Sequence, residues 1–178
     1  MTREYVITMT AANRVGILSA VTKAMSELGA DLREASQTVV RGFFTMIFSA
    51  EFPEHLGTQV VRDHLLGICR PFGIEVSIHE LAEQTATDDS EELGNLRLRV
   101  LRLGGANQPG VLRQLSTLIS MRRIDITGMH AVRTKGGQGF EMIMKIVVPH
   151  DVDTDQLLDD LNSAGKSFNI TADLSDDG

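Results

Sequence analysis

Tryptophan is absent from this 178-residue chain, tyrosine and cysteine occur once each, and aromatic residues make up only 4%. Its cores must therefore be small and filled by Leu, Ile, Val and Met. The lone Cys69 has no partner for an internal disulfide. The N-terminal residues open into an alternating pattern rather than an apolar leader, so cytoplasmic residence is expected. Cys69 lies beside Ile68 in a helical pattern and reads as core filler. No run approaches the roughly 18 apolar residues of a membrane span. Positive charge is also short, at 17 Lys and Arg against 24 Asp and Glu, a formal balance of -7. Phosphate binding needs clustered cations, so a direct nucleic-acid surface is not expected. The longest basic cluster, Arg122-Arg123, falls where a helix should end and complements its dipole there.

What is present is ordinary for a globular chain, 42% hydrophobic and 23% charged, and it is arranged twice. Asn13-Arg14-Val15-Gly16-Ile17-Leu18 matches Asn107-Gln108-Pro109-Gly110-Val111-Leu112 at an offset of 94, which also carries Asp31 onto Asp125. Phe44-Thr45-Met46-Ile47-Phe48 matches Phe140-Glu141-Met142-Ile143-Met144 at an offset of 96, and the register holds to Phe72 and Phe168. The two extra residues fit the glycine-rich turn at 135–139. Between the copies lies a polar, acidic stretch without apolar periodicity. The expected organisation is a first domain over 1–82, a linker over 83–93, and a second domain over 94–178 closed by a solvated acidic tail from Asp173.

Within the first copy, Tyr5 to Thr10 alternates as a strand. Ile17, Val21, Met25 and Leu28 then recur at helical spacing, with Gly29 as the stop. Two β-rich runs, 32–40 and 43–52, flank Arg41-Gly42 as a hairpin, and a second helix and a last strand follow. The second copy repeats this order. The fold class is α+β: two tandem ferredoxin-like βαββαβ domains, each a four-stranded antiparallel sheet with both helices on one face.

The repeated turn sits between a strand and a helix N-terminus, where free N–H groups and the helix dipole suit an anion such as a carboxylate. Gly16 and Gly110 permit a sharp turn or close approach of a ligand. Asn13 and Asn107 carry both donor and acceptor, which suits an amino-acid headgroup. The plain alternative is that Asn and Gly supply turn and capping chemistry alone, and a duplicated fold would duplicate its caps.

Both halves resemble the ACT domain family, regulatory modules that bind amino acids where paired domains meet. The resemblance rests on the Asn-x-x-Gly-[Ile/Val]-Leu turn and on the strand entries Gly29-Ala30-Asp31-Leu32 and Ile124-Asp125-Ile126. It implies a ligand site built from Asn13, Gly16, Ile17, Leu18 and Asp31, and from Asn107, Gly110, Val111, Leu112 and Asp125. In the family the turn of one domain commonly faces the second strand of its neighbour, so Asn13 would share a ligand with Asp125, and Asn107 with Asp31. The first copy departs from the pattern at Val15, where proline is usual, and the second lacks the glycine before its strand entry. The resemblance also implies glycine or serine as first candidate ligands. A protein partner, either a DNA-binding regulator or an enzyme, is implied with them, and a homodimer is compatible.

Other classes fit less well. An acylphosphatase would need an arginine in the first turn, which Arg14 could supply, and an asparagine on the third strand, which 43–52 lacks. Arg14 therefore reads as a solvated loop residue. RNA-recognition modules need exposed aromatics and a basic sheet face. His55, His64, His79, His130 and His150 are scattered singly, without metal-ligand spacing. No catalytic residue, metal or cofactor is expected. The remaining alternatives are a structural pairing module without ligand and a stand-alone regulatory subunit of an amino-acid or one-carbon enzyme.

Overall fold

The computed structural model describes residues 2–81, 96–106, 110–134 and 139–176. The expected linker over 83–93, Asn107 and most of the 135–139 turn lie outside the described residues. The chain divides into two compact units, Met1–Thr85 and Ala86–Gly178.

The first unit runs β1 (Thr2–Ala12), α1 (Ile17–Glu27), β2 (Asp31–Val40), β3 (Phe43–Pro53), α2 (Thr58–Ile68), a short 3-10 turn (Arg70–Phe72) and β4 (Glu75–Glu80). The second repeats this as β5 (Leu96–Ala106), α3 (Val111–Met121), β6 (Asp125–Arg133), β7 (Gly139–Pro149), α4 (Thr154–Gly165), a 3-10 turn (Lys166–Phe168) and β8 (Ile170–Asp176). The sheet orders are β2-β3-β1-β4 and β6-β7-β5-β8, with every pairing antiparallel. This is the α+β, ferredoxin-like architecture that the repeat implies.

Alternation along the inner strands explains the layers. On β3, Phe44, Met46, Phe48, Ala50 and Phe52 are buried in turn, and they meet Ile17, Val21 and Met25 of α1 and Val61 and Leu65 of α2. Each of these side chains larger than Ala50 contributes about 1.5–3 kcal/mol on burial. In the second unit the aromatic positions give way to aliphatics and methionine, with Leu101, Leu103, Met144, Ile146 and Val148 packed on Leu115, Ile119 and Leu157. Cys69 is fully buried at the end of α2, and burial pushes its thiol pKa up.

A related latch ties the loop after the third strand of each unit to the first. In the first unit the buried Tyr5 hydroxyl donates to the Leu56 carbonyl at 2.8 Å. In the second, Arg97 Nη2 donates to the equivalent carbonyl, that of Val152, at 2.5 Å, and to Pro149 at 3.2 Å.

One expectation needs correction. Residues 173–176 are no solvated tail: Asp173 and Asp176 belong to β8, opposite Arg102 and Arg99 of β5. Arg99 forms an ion pair with Asp176 and Arg102 donates to Ser175, while Leu174 packs against the core. The acidic run is thus half of a charged cross-strand ladder. Arg14, read as a solvated loop residue, is exposed between β1 and α1, where it donates to the Pro71 carbonyl at 3.3 Å. Arg122 behaves as expected, sitting at the C-cap of α3 and donating to the Leu118 carbonyl.

Candidate ligand-binding site

Gly16 and Gly110 hold the same place in both units, as left-handed N-caps of α1 and α3 with φ of 95° and 87°. A side chain there costs roughly 1–2 kcal/mol in backbone strain, so the turn demands glycine whether or not a ligand is present. Neither helix has a side-chain cap or an acidic residue in its first turn. By contrast, α4 opens on Asp153, whose carboxylate accepts from the N–H groups of Asp155 and Gln156. The first-turn N–H groups of α1 and α3 are thus not taken by a local carboxylate.

The next two residues divide. Ile17 and Val111 are buried and anchor their helices in the cores, whereas Leu18 and Leu112 are about half exposed. Asn13 is exposed and donates its backbone N–H to the Gly42 carbonyl at 2.7 Å, which fastens the turn to the β2–β3 hairpin.

Asp31 lies at the other end of the sheet. It pairs with Glu51, while Ala12 pairs with Phe43 at the far end of β3, so the turn and the aspartate are roughly 26 Å apart at about 3.3 Å per residue. The second unit repeats this separation, with Ala106 opposite Gly139 and Asp125 opposite Val147. No single unit brings its own turn and its own aspartate together.

Each aspartate has its own surroundings. Asp31 stands 3.6 Å from Arg33, which in turn holds Glu51 through Nε at 2.9 Å and Nη2 at 2.5 Å. The hydrogen bond and charge of Glu51, with Asp31 beside it, raise the Arg33 pKa further into the always-charged range. Asp125 lines a shallow cavity of about 340 Å³ with Ser116, Ser120, Ile124 and Ile126.

Sequence reasoning missed a second cavity, of about 240 Å³, beside the start of α3. Val111, Leu112, Ala131, Val132, Arg133, Phe140 and Met142 line it. It opens because β6 is an edge strand that the helices leave largely uncovered, with residues 129–133 exposed. The signal for it was available in the repeat: at an offset of 94, Arg133 stands where the first copy has Val39.

Among the described residues there is no group of three or more His, Cys, Asp or Glu placed to hold a metal ion, and no helix long and apolar enough to cross a membrane.

Known proteins resemble this chain in three ways. The ACT domain family pattern matches residues 99–166. A UPF0237 protein of Methanosarcina mazei is 32% identical over 78 residues, spanning 43% of this chain and 85% of its own length. One from Lactococcus lactis is 41% identical over 46 residues, 26% of this chain and 53% of its own. Among solved structures, an unknown protein from Galdieria sulphuraria covers 99% of both chains with a TM-score of 0.79 at 16% identity. A protein assigned as a glycine cleavage system transcriptional repressor also covers 99% of both, with a TM-score of 0.67 at 11% identity. At those identities the structural likeness is one of fold.

Proposed function

We propose, because this chain belongs to the UPF0237 family and carries the ACT domain fold twice, that it is a non-catalytic regulatory protein that binds an amino acid and acts through another protein. The observation that carries this reading is the recurrence of one device in both units: a left-handed glycine opening a helix that no side chain caps. A ligand carboxylate would take the first-turn N–H groups, with Asn13 or Asn107 beside it and Asp31 or Asp125 meeting the ammonium. The crosswise assignment, Asn13 with Asp125 and Asn107 with Asp31, belongs to this reading.

The fold likeness to a glycine cleavage repressor supports a narrower version. In it the ligand is glycine or serine, the protein works in the cytoplasm, and its output is transcription through a separate DNA-binding regulator. The net charge of -7 favours that indirect route over direct contact with DNA. One observation favours the structural pairing module instead: Gly16, Gly110, Ile17 and Val111 are all accounted for by turn geometry and core packing.

Melting curves with each of the twenty amino acids at millimolar concentration separate the two. A ligand at about 100 times its dissociation constant adds roughly 2.7 kcal/mol if it binds only the folded chain. Asn13→Ala and Asp125→Ala should each weaken binding about tenfold, through loss of a hydrogen bond to a charged group. Asn13→Ala and Asp31→Ala, far apart in one unit, should add rather than couple. Flat curves throughout would favour pairing without ligand.

A further inference from the structure

Resting on the reading that the chain acts through another protein, we propose that the partner is held at one end of the first unit, on an apolar tip formed by Val15, Val40 and Phe43 and flanked by Arg14 and Arg41. The partner segment that fits it carries apolar side chains together with Asp or Glu. Val15 is fully exposed, and Phe43 and Val40 keep 64% and 62% of their surface in solvent. They come from two places in the chain. The bond from the Asn13 N–H to the Gly42 carbonyl, 2.7 Å long, sets the β1–α1 turn beside the β2–β3 hairpin, where Val40 pairs with Phe43. Large apolar side chains gathered in the open, rather than scattered singly, mark an interaction surface. The tip adjoins the ligand turn proposed above and is not separate from it, so ligand and partner would meet at the same end of the unit.

Charge gives the partner its chemistry. Residues 5–26 and 35–50 hold no Asp or Glu, although the chain has 24, and Glu4, Glu34 and Glu51 lie toward the opposite end of the sheet. The acidic side chain nearest the tip along the ladder is Glu75, opposite Thr10 on the far edge strand. Arg14 gives one contact to the Pro71 carbonyl, and its guanidinium has further donors to offer. Arg41 stands at the hairpin apex with φ of 51°, followed by Gly42 at 83°, a two-residue turn for which asparagine and glycine are the preferred pair. An arginine there is a poor choice for the turn and is explained by what its side chain meets. A short acidic segment responds to these local cations within the screening length of roughly 8 Å at physiological salt. An anionic membrane would also meet the net charge of -7, which two arginines do not offset.

The second copy lacks this tip. Pro109, Thr134 and Gly139 stand in sequence where the first copy has Val15, Val40 and Phe43, and Gln108 stands for Arg14. The hairpin itself is kept, since the Thr134 N–H still donates to the Gly139 carbonyl at 3.0 Å. A Cβ on Gly139 would lie 2.7 Å from Thr134 Oγ1 and 3.1 Å from the Gly105 carbonyl oxygen, so the second unit has no room for a side chain where the first displays Phe43. An apolar tip needed to fold this topology would have been required in both copies.

Photocrosslinking of the full chain in the cells that make it, with p-benzoylphenylalanine in place of Phe43 and, as a control, in place of the exposed Ser77 of β4, tests the tip. The probe replacing Phe43 should capture a protein that the probe replacing Ser77 does not, and mass spectrometry should place the crosslink in a segment with more Asp and Glu than Lys and Arg. A synthetic peptide of that segment, followed by fluorescence polarisation, should bind the purified chain about tenfold more weakly or worse after Arg41→Glu or Phe43→Ser. Arg41→Lys should cost less, and added salt should weaken the complex. Arg41 and Phe43 are both exposed, so circular dichroism should show the variants folded. Crosslinks chiefly to a second copy of the chain, a captured segment without acidic residues, or an affinity indifferent to Arg41→Glu would overturn the tip. Cosedimentation with phosphatidylserine vesicles that Arg41→Glu abolishes would overturn it too, in favour of a membrane. Capture from Ser77 alone would move the partner elsewhere and leave the reading above standing, whereas capture from neither place would overturn both. The amino-acid ligand keeps its own test in the melting curves.

Discussion

Removing one oxygen from Tyr5 tests whether the latch in the first unit contributes to its stability. Tyr5 is fully buried, its ring 5.3 Å from that of Phe52, and its hydroxyl donates to the Leu56 carbonyl at 2.8 Å. Tyr5→Phe keeps the ring and its apolar contacts, so the change isolates the hydrogen bond. A neutral bond of this kind is worth about 0.5–1.5 kcal/mol net, and a stranded carbonyl adds to the loss. The expected cost is about 1–2 kcal/mol, well below the roughly 3–5 kcal/mol of emptying the site with Ala. Cys69 gives a readout from the same unit, because its buried thiol reacts with a maleimide only when the structure opens. If labelling follows the opening equilibrium, Tyr5→Phe should accelerate it about 5- to 30-fold and lower the calorimetric midpoint with it. An unchanged midpoint and an unchanged labelling rate would refute the energetic role of the latch. A lowered midpoint with unchanged labelling would show that the thiol is reached by local fraying of the end of α2.

In the second unit, Gly105→Ala should be severe, because a Cβ there would stand 2.3 Å from the Asn169 carbonyl oxygen and 2.8 Å from Ile170 Cα. Backbone must move, at a cost of about 1–3 kcal/mol or more, and an unchanged calorimetric midpoint would show that the site yields freely. Alkaline pH should weaken the first unit through Cys69. Its folded pKa is raised by burial, so both states hold the proton below about pH 8.5, the unfolded value. Above that pH only the unfolded chain releases it, and stability falls with rising pH until the folded pKa is passed. Between about pH 8 and 9.5 stability should fall by up to about 1.3 kcal/mol, the limit set by releasing the thiol proton in the unfolded chain alone. Denaturant melts at both values should show that loss in the natural chain and not in Cys69→Ala, and equal slopes would refute the assignment.

The repeat carried most of what could be read without coordinates. A shared offset fixes two copies, and the periods within one copy fix βαββαβ. What it misjudged were properties of position across a sheet rather than along the chain. The acidic run from Asp173 looks solvated in isolation, because Arg99 and Arg102, which answer it, lie more than 70 residues away. The latches of Tyr5 and Arg97 span 51 and 55 residues and leave no local pattern. The turn glycines were legible because a left-handed φ selects them. The 26 Å between each turn and its aspartate was not, since it depends on strand register. Arg133 was visible as a mismatch between copies, yet only the uncovered edge of β6 gives that mismatch a place.

Strand β2 lies at the edge of its sheet, and all ten of its residues are exposed. Its first half is defended, with Asp31, Arg33 and Glu34 gathered at an irregularity in the ladder between Leu32 and Glu34. Its second half, Ser36 to Val40, carries no charge and ends in two exposed valines. An uncharged edge strand with open N–H and C=O groups is a template for strand addition by any extended chain. In concentrated solution, self-association should therefore begin at that half-strand. A lysine in place of Thr38, on the open face of the sheet opposite Thr45, would put there the kind of guard that Arg33 provides at the other end.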